Sequence, residues 1–203
     1  DVVAHEPLIR LRHDYPDRRV LLDVHEITRF QGQARAREAQ ELAWVAPDEL
    51  PGWDLIGADR PIVNALRLPA RYLISPPDLR SAGAVLTGLE AALADGIRLM
   101  LLRLPDWSPD ALAEVARDAL NLCARAGARL LLHDDIALAQ SLGAAGVHLS
   151  ARTLAGLEAR PGGEETWVAA SCHGPEELDR AARLGLDFAV LGPVNRTASH
   201  PER

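Results

Sequence analysis

Lysine is absent: all 22 basic residues among the 203 are arginine. That excludes Schiff-base chemistry and lysine contacts to phosphate, and it leaves guanidinium groups as the permanent side-chain cations. Cysteine is scarce, with Cys123 and Cys172 far apart in the chain. The opening Asp1-Val2-Val3-Ala4-His5-Glu6 lacks the basic region and apolar core of a signal peptide. Reduced thiols in a cytoplasmic protein are therefore the expectation. No run approaches the ~20 apolar residues that a membrane span needs. A surplus of positive charge is lacking too. The formal net charge is −7, with no basic stripe, so a coat for DNA or RNA is excluded. What remains, 48% hydrophobic and 25% charged, is a folded globular chain.

Two segments read differently. Residues 1–68 alternate like strands and then turn irregular, with a strand expected at 20–27, a shorter one at 43–45 and a short helix at 60–68. Three prolines punctuate residues 69–78. From Tyr72 onward, short apolar runs alternate with amphipathic stretches. Strands are expected at 72–74, 97–102, 129–132, 147–149, 167–170 and 188–191. Helices are expected at 83–94, 109–126, 136–142, 154–159 and 175–184. Ser108-Pro109 supplies a helix start, and Gly127 and Gly185 sit where C-terminal caps belong. Strands this apolar are buried on both faces, as in a parallel sheet covered by helices. Six βα units without a glycine-rich dinucleotide fingerprint favour an incomplete (β/α)8 TIM-type barrel of about six strands over a Rossmann sheet. The count stops two strands short, so the chain is expected to be a fragment.

Four segments in register resemble the thiamine-phosphate synthase/TenI family. Tyr72-Leu73-Ile74-Ser75 stands at the first strand. Gly143-Ala144-Ala145-Gly146-Val147-His148-Leu149 resembles the family's GADGVHL strand. Ala169-Ala170-Ser171-Cys172-His173, followed by Glu176-Glu177, resembles its G-x-S-x-H…EE segment. Leu186-Asp187-Phe188 through Leu191-Gly192-Pro193-Val194, then Thr197, resembles its ADFxxLGPV…T segment. The resemblance covers nearly all of residues 72–203. Residues 1–68 are similar to the C-terminal half of a MutT-type Nudix hydrolase, through Asp14-Tyr15-Pro16-Asp17-Arg18, the strand at 20–27, Gly32, Arg37-Glu38, Trp44-Val45 and Ala58-Asp59-Arg60-Pro61. The Nudix box, G-x5-E-x7-R-E-x2-E-E, does not occur in these residues. The expectation is a partial Nudix α+β domain, a linker and first strand at 69–78, and a synthase-like barrel truncated after its sixth strand.

The resemblance implies a site at the C-terminal strand ends, where an aminopyrimidine pyrophosphate meets a thiazole phosphate and Mg²⁺ absorbs the pyrophosphate charge. Arg103 falls on the arginine of the family's Q-x-R-x-K motif, as a phosphate contact or a solvated arginine. Leu101 and Pro105 replace the flanking glutamine and lysine. Asp134 matches a Mg²⁺ ligand and is equally a helix cap in the His133-Asp134-Asp135 triplet. Thr153 stands where the second metal carboxylate belongs, so Mg²⁺ binding is expected to be weak or lost. His148 reads as an inward-facing core histidine. His173 falls on the TenI histidine that moves a proton. Ser171 is expected to contact substrate or simply to pack. Gly192 and Thr197 lie where the family holds pyrophosphate, and the closing lysine falls at His200.

Glu38 and Asp59 fall on Nudix positions near the metal and the purine edge, or are surface charges. Trp44 and Trp53 are expected to pack in a core or line a base pocket. Two functions follow from the resemblance. One is part of a bifunctional MutT-type pyrophosphohydrolase acting on an 8-oxo-dGTP-like nucleotide and a thiamine-phosphate-synthase-like protein. The other is a barrel that has lost turnover and persists as a phosphate-ligand-binding or structural module. The partner is a small phosphorylated heterocycle or nucleotide, not a nucleic acid polymer or a membrane. Both a monomer and a homo-oligomer stay open.

Overall fold

The structure is a computed structural model that describes residues 1–38, 40–163 and 165–193. It divides into two compact units, Asp1–Leu68 and Pro69–Arg203. Thr197 and His200 lie outside the described residues.

The first unit opens with an antiparallel hairpin of β1 (Val2–Asp14) and β2 (Arg19–Phe30). Tyr15 N–H donates to the Arg18 carbonyl at 2.8 Å to close the turn, and Arg19 pairs with Asp14 beside it. After a long irregular stretch and a 3₁₀ turn at Leu50–Gly52 comes α1 (Arg60–Arg67), with Pro61 in its first turn. The strand expected at 43–45 does not form. Trp44 is instead 82% exposed and stacks on Phe30, with ring centroids 5.9 Å apart. Trp53, at 51% exposed, is not a core residue either. Among the described residues of this unit, the buried hydrophobics are Ala58 and Val63.

The second unit is a six-stranded parallel sheet in sequential order. Its strands are β3 (Tyr72–Ile74), β4 (Leu99–Leu102), β5 (Arg129–His133), β6 (Gly146–Leu149), β7 (Trp167–Cys172) and β8 (Phe188–Leu191). The intervening helices are α2 (Ala82–Ala94), α3 (Pro109–Arg125), α4 (Ile136–Leu142), α5 (Ala151–Gly156) and α6 (Pro175–Arg183). Ser108 caps α3 by accepting from Ala111 N–H at 3.4 Å, and Gly127 and Gly185 take φ of +62° and +67° past the ends of α3 and α6. Helix α5 starts earlier than its apolar pattern suggests because Ser150 caps it, accepting from Thr153 N–H at 3.2 Å.

Strand alternation sorts the sheet into two faces. Met100, Leu102, Leu130, Leu132, Val147, Leu149, Val168, Ala170 and Cys172 form one core with Val85, Val115, Ala119 and Leu154 of the helices. Removing one of these leucines to alanine costs about 2–5 kcal/mol. The register places Tyr72, Leu99, Leu101, Leu131, Gly146, His148, Trp167, Ser171 and Phe188 on the other face. There the Phe188 ring of the last strand meets Tyr72 of the first at 5.4 Å, edge to face, so the sheet curls into a half-barrel. Gly146 permits that curvature: a Cβ on it would sit 1.8 Å from the Trp167 carbonyl oxygen.

The two ends of the half-barrel differ in character. At the N-terminal ends of β7 and β8, Arg160 donates to the Gly185, Gly163 and Thr166 carbonyls and pairs with Asp187 at 2.6 Å. Asp187 also accepts Val168 N–H at 2.7 Å. Both side chains are nearly buried, and their bonds hold loop and strand backbone together at this end. This end reads as structural, which leaves the C-terminal strand ends for a site.

Candidate functional site at the strand ends

Five of the six strands deliver a polar residue to the C-terminal end, where the apolar run stops: Ser75, Arg103, His133-Asp134, Ser150, and Ser171 with His173; Gly192 follows the sixth. Ser75 and Arg103 hold each other through backbone. Arg103 N–H donates to Ser75 Oγ at 2.8 Å, and that hydroxyl donates to the Arg103 carbonyl at 2.9 Å. The Arg103 residue is exposed and lines an open cleft of about 480 Å³. Pro105, Trp107, His133, Asp134 and Asp135 line it too. Trp107 is anchored by its indole N–H, which donates to the Leu79 carbonyl at 2.8 Å.

The triplet after β5 divides its labour. Asp135, not Asp134, is the helix cap, accepting Leu138 N–H at 2.9 Å to start α4. Asp134 has φ of +57°, a conformation that non-glycine residues adopt mainly where surrounding bonds impose it. Here Asp134 N–H donates to the His148 carbonyl at 3.0 Å, and its carboxylate accepts Ser150 N–H at 2.7 Å. Burial works against the charge on Asp134. The Ser150 amide, the Thr153 and Ser150 hydroxyls and the neighbouring His133 outweigh it and hold the carboxyl below its ordinary range. Thr153, which stands at the position of a second carboxylate, thus helps to hold the first one charged, and its hydroxyl meets Ser150 Oγ at 3.1 Å. His133 lies 3.6 Å from Asp134. Burial pushes its ring below the ordinary histidine value, Asp134 pulls it up, and Arg103 adds to the lowering. Among the described residues, no group of three or more His, Cys, Asp or Glu side chains is placed to hold a metal ion.

At the centre of the half-barrel His148 is 1% exposed. Its Nδ1 meets the Tyr72 hydroxyl at 3.0 Å and its Nε2 meets Ser171 Oγ at 2.9 Å. Burial, with the His133 charge, drives its pKa down to about 4, so the ring is neutral near pH 7. This is the inward-facing core histidine that the sequence suggests. Its tie to Tyr72 carries no sequence signal, because the partners are 76 residues apart.

His173 donates from Nδ1 to the Gly192 carbonyl at 2.5 Å, and its backbone N–H donates to Glu177 at 2.5 Å. The first bond joins the ends of β7 and β8, and the second ties the end of β7 to α6. The structure therefore gathers Arg103 and Asp134 around one cleft, ties Ser171 to His148, and ties His173 to Gly192. In the first unit, Glu38 is exposed in an irregular stretch and Asp59 is half-buried at the start of α1. The hydroxyls of Ser75 and Ser150 and the indole of Trp107 are contributors that sequence reasoning missed. A polar residue directly after an apolar strand is the signal that marks the two serines.

Comparison with known proteins agrees with this architecture. The profile of the family described as "Thiamine monophosphate synthase" matches residues 71–203. A thiamine-phosphate synthase of Thermus thermophilus is 36% identical over 131 residues, covering 64% of this chain and 63% of the relative. One from Azorhizobium caulinodans is 35% identical over 130 residues, covering 63% of this chain and 61% of the relative. The chain thus spans less than two thirds of the length of these relatives. Among solved structures, a thiamine phosphate pyrophosphorylase of Pyrococcus furiosus superposes with a TM-score of 0.52 at 19% identity, covering 64% of this chain and 62% of that one, which speaks to the fold alone. On the profile match, which takes in well over half of its length, the chain belongs to the thiamine monophosphate synthase family.

Proposed function

We propose that the half-barrel binds a small phosphorylated heterocycle of thiamine or nucleotide metabolism at its strand ends, without Mg²⁺ and without synthase turnover in these 203 residues. The observation that carries this reading is Asp134. Its carboxylate already accepts the Ser150 amide, and the neighbouring Thr153 and Ser150 hydroxyls favour its charge. Mg²⁺ demands several anionic or strongly polar oxygens in near-octahedral order, and a single engaged carboxylate does not fit it. The metal would otherwise absorb the charge of a pyrophosphate leaving group. Here Arg103 is the cation at the cleft, able to grip a phosphate with two parallel N–H donors. Ser171 donates or accepts at the mouth, and the family's pyrophosphate loop around Gly192 lies next to His173. Trp107 and Pro105 offer flat apolar walls to a ring.

His173 is assigned the proton-moving role of the TenI branch only if turnover exists, and His173→Gln would remove it. The test of the whole reading is thiamine phosphate formation from the two phosphorylated halves, run beside calorimetry with thiamine phosphate. Binding without product supports the reading. Appreciable turnover by the unmodified chain overturns it.

For residues 1–68 we infer the C-terminal part of a MutT-type domain, which would make the whole protein bifunctional. Exposed Trp44, Ile56 and Leu42, with so few buried residues, support a module that belongs to a larger α+β core. Glu38 and Asp59 would then face a nucleotide. Hydrolysis of 8-oxo-dGTP by a version extended to include a Nudix box is the experiment, and inactivity of that folded version counts against it.

A further inference from the structure

The chain Tyr72–His148–Ser171 has the outline of a hydrolytic triad: a serine, a histidine bonded to it, and a third group on the far ring nitrogen. The proton count runs the other way. A neutral imidazole has one N–H donor and one bare acceptor nitrogen. A tyrosine hydroxyl has one hydrogen to give, and among the described residues Tyr72 has one hydrogen-bond partner, His148 Nδ1. Phe188 packs edge-on against the Tyr72 ring at 5.4 Å and also faces His148 at 6.4 Å. With Tyr72 donating to Nδ1, the ring proton sits on Nε2, and Nε2–H donates to Ser171 Oγ. A serine that accepts from its histidine cannot be deprotonated by it. Its own hydrogen points elsewhere.

We propose that Tyr72 and His148 are positioning residues that commit the Ser171 hydroxyl to donate its hydrogen into the mouth of the half-barrel, where it selects a hydrogen-bond acceptor such as a phosphate oxygen. This rests on the phosphorylated-ligand reading above. It excludes Ser171 as a nucleophile and gives Tyr72, which lies at the start of β3 and away from the strand ends, an effect on binding. The geometry supports a fixed direction because the three residues come from three different strands whose register is set by ladder bonds. A third tie, from Asp134 N–H to the His148 carbonyl, anchors the same residue to the cleft. The ring is 1% exposed and both its nitrogens face neutral hydroxyls, surroundings that favour the neutral imidazole.

Two measurements on the full chain test it. Long-range ¹H–¹⁵N correlation of His148 at neutral pH should show the proton on Nε2. A proton on Nδ1 overturns the proposal outright, whatever the protein binds. Titration with inorganic pyrophosphate should show Tyr72→Phe, which keeps the ring and its packing, weakening affinity by about 3- to 10-fold, as expected for a lost neutral hydrogen bond. In the Ser171→Ala background the same change should do nothing further. Equal losses in both backgrounds would mean that Tyr72 acts through structure alone and would overturn the proposal. If the wild-type chain ignores pyrophosphate, the ligand reading fails, while the tautomer still decides the wiring.

Discussion

Replacing Thr153 by aspartate converts the hydroxyl that serves Asp134 into a second carboxylate, and its cost can be worked from the structure. The change removes a hydroxyl that favours the charge on Asp134, an interaction of the order of a hydrogen bond to a charged acceptor, about 1.5–3 kcal/mol. It also sets two carboxylates face to face, which at roughly 4 Å and an effective dielectric near 20 amounts to about 4 kcal/mol. Asp134 has a side chain 32% exposed, so screening by water reduces that repulsion to about half. The sum is about 3–5 kcal/mol. At roughly 4 °C per kcal/mol for a unit of this size, Thr153→Asp should melt about 10–20 °C lower in EDTA. Excess MgCl₂ should return much of the loss, because a cation between paired carboxylates is then the favoured partner. The wild-type melting temperature should not respond to the metal. Differential scanning calorimetry of both proteins, with and without MgCl₂, reads all four values. The reasoning is refuted if the variant melts like the wild type in EDTA, or if the wild type gains as much from Mg²⁺ as the variant does.

Asp187→Asn should destabilise the chain by about 3–5 kcal/mol, since it leaves the nearly buried Arg160 charge without its partner; urea unfolding gives the number, and a loss under 1 kcal/mol contradicts the assignment. Stability should fall as pH drops from 6.5 to 4. Across this window the unfolded chain binds a proton at the histidine position that folded His148 refuses, which costs about 3 kcal/mol in total by linkage. His148→Gln should flatten that part of the stability profile, and an unchanged slope would show that His148 is not the responsible group. The chain should release no pyrophosphate from 8-oxo-dGTP with Mg²⁺, because its residues include no Nudix box; robust release would sink the assignment.

The βα alternation was legible because buried parallel strands are written as short apolar runs, and Ser108-Pro109, Gly127 and Gly185 marked helix ends through local chemistry. Boundaries slipped where a local bond outcompeted the pattern. Ile97 looks like strand, but its N–H donates to the Ala92 carbonyl at 3.0 Å, so pairing begins at Leu99. Helix α5 begins at its serine cap, ahead of its apolar residues. The 43–45 segment has strand-like residues but pairs with no strand among the described residues. In the site, Arg103, Asp134, His148 and Ser171 were visible as polar residues at strand ends or on an inward face. The left-handed turn at Asp134 was not, because it follows from bonds to His148 and Ser150 across the sheet. Nor was the Thr153 hydroxyl as a partner of Asp134, since a substitution shows what is lost before it shows what replaces it.

The central claim is that the strand-end cleft holds a phosphorylated ligand through arginine and hydroxyl groups without a metal. Isothermal titration of the chain with inorganic pyrophosphate in EDTA, repeated with Arg103→Ala, tests it most directly. The expected result is measurable binding that is indifferent to added MgCl₂ and about 10- to 150-fold weaker in the variant, the equivalent of a lost charge-assisted contact of about 1.5–3 kcal/mol. Binding that appears only with Mg²⁺, or an affinity unchanged by Arg103→Ala, would contradict it.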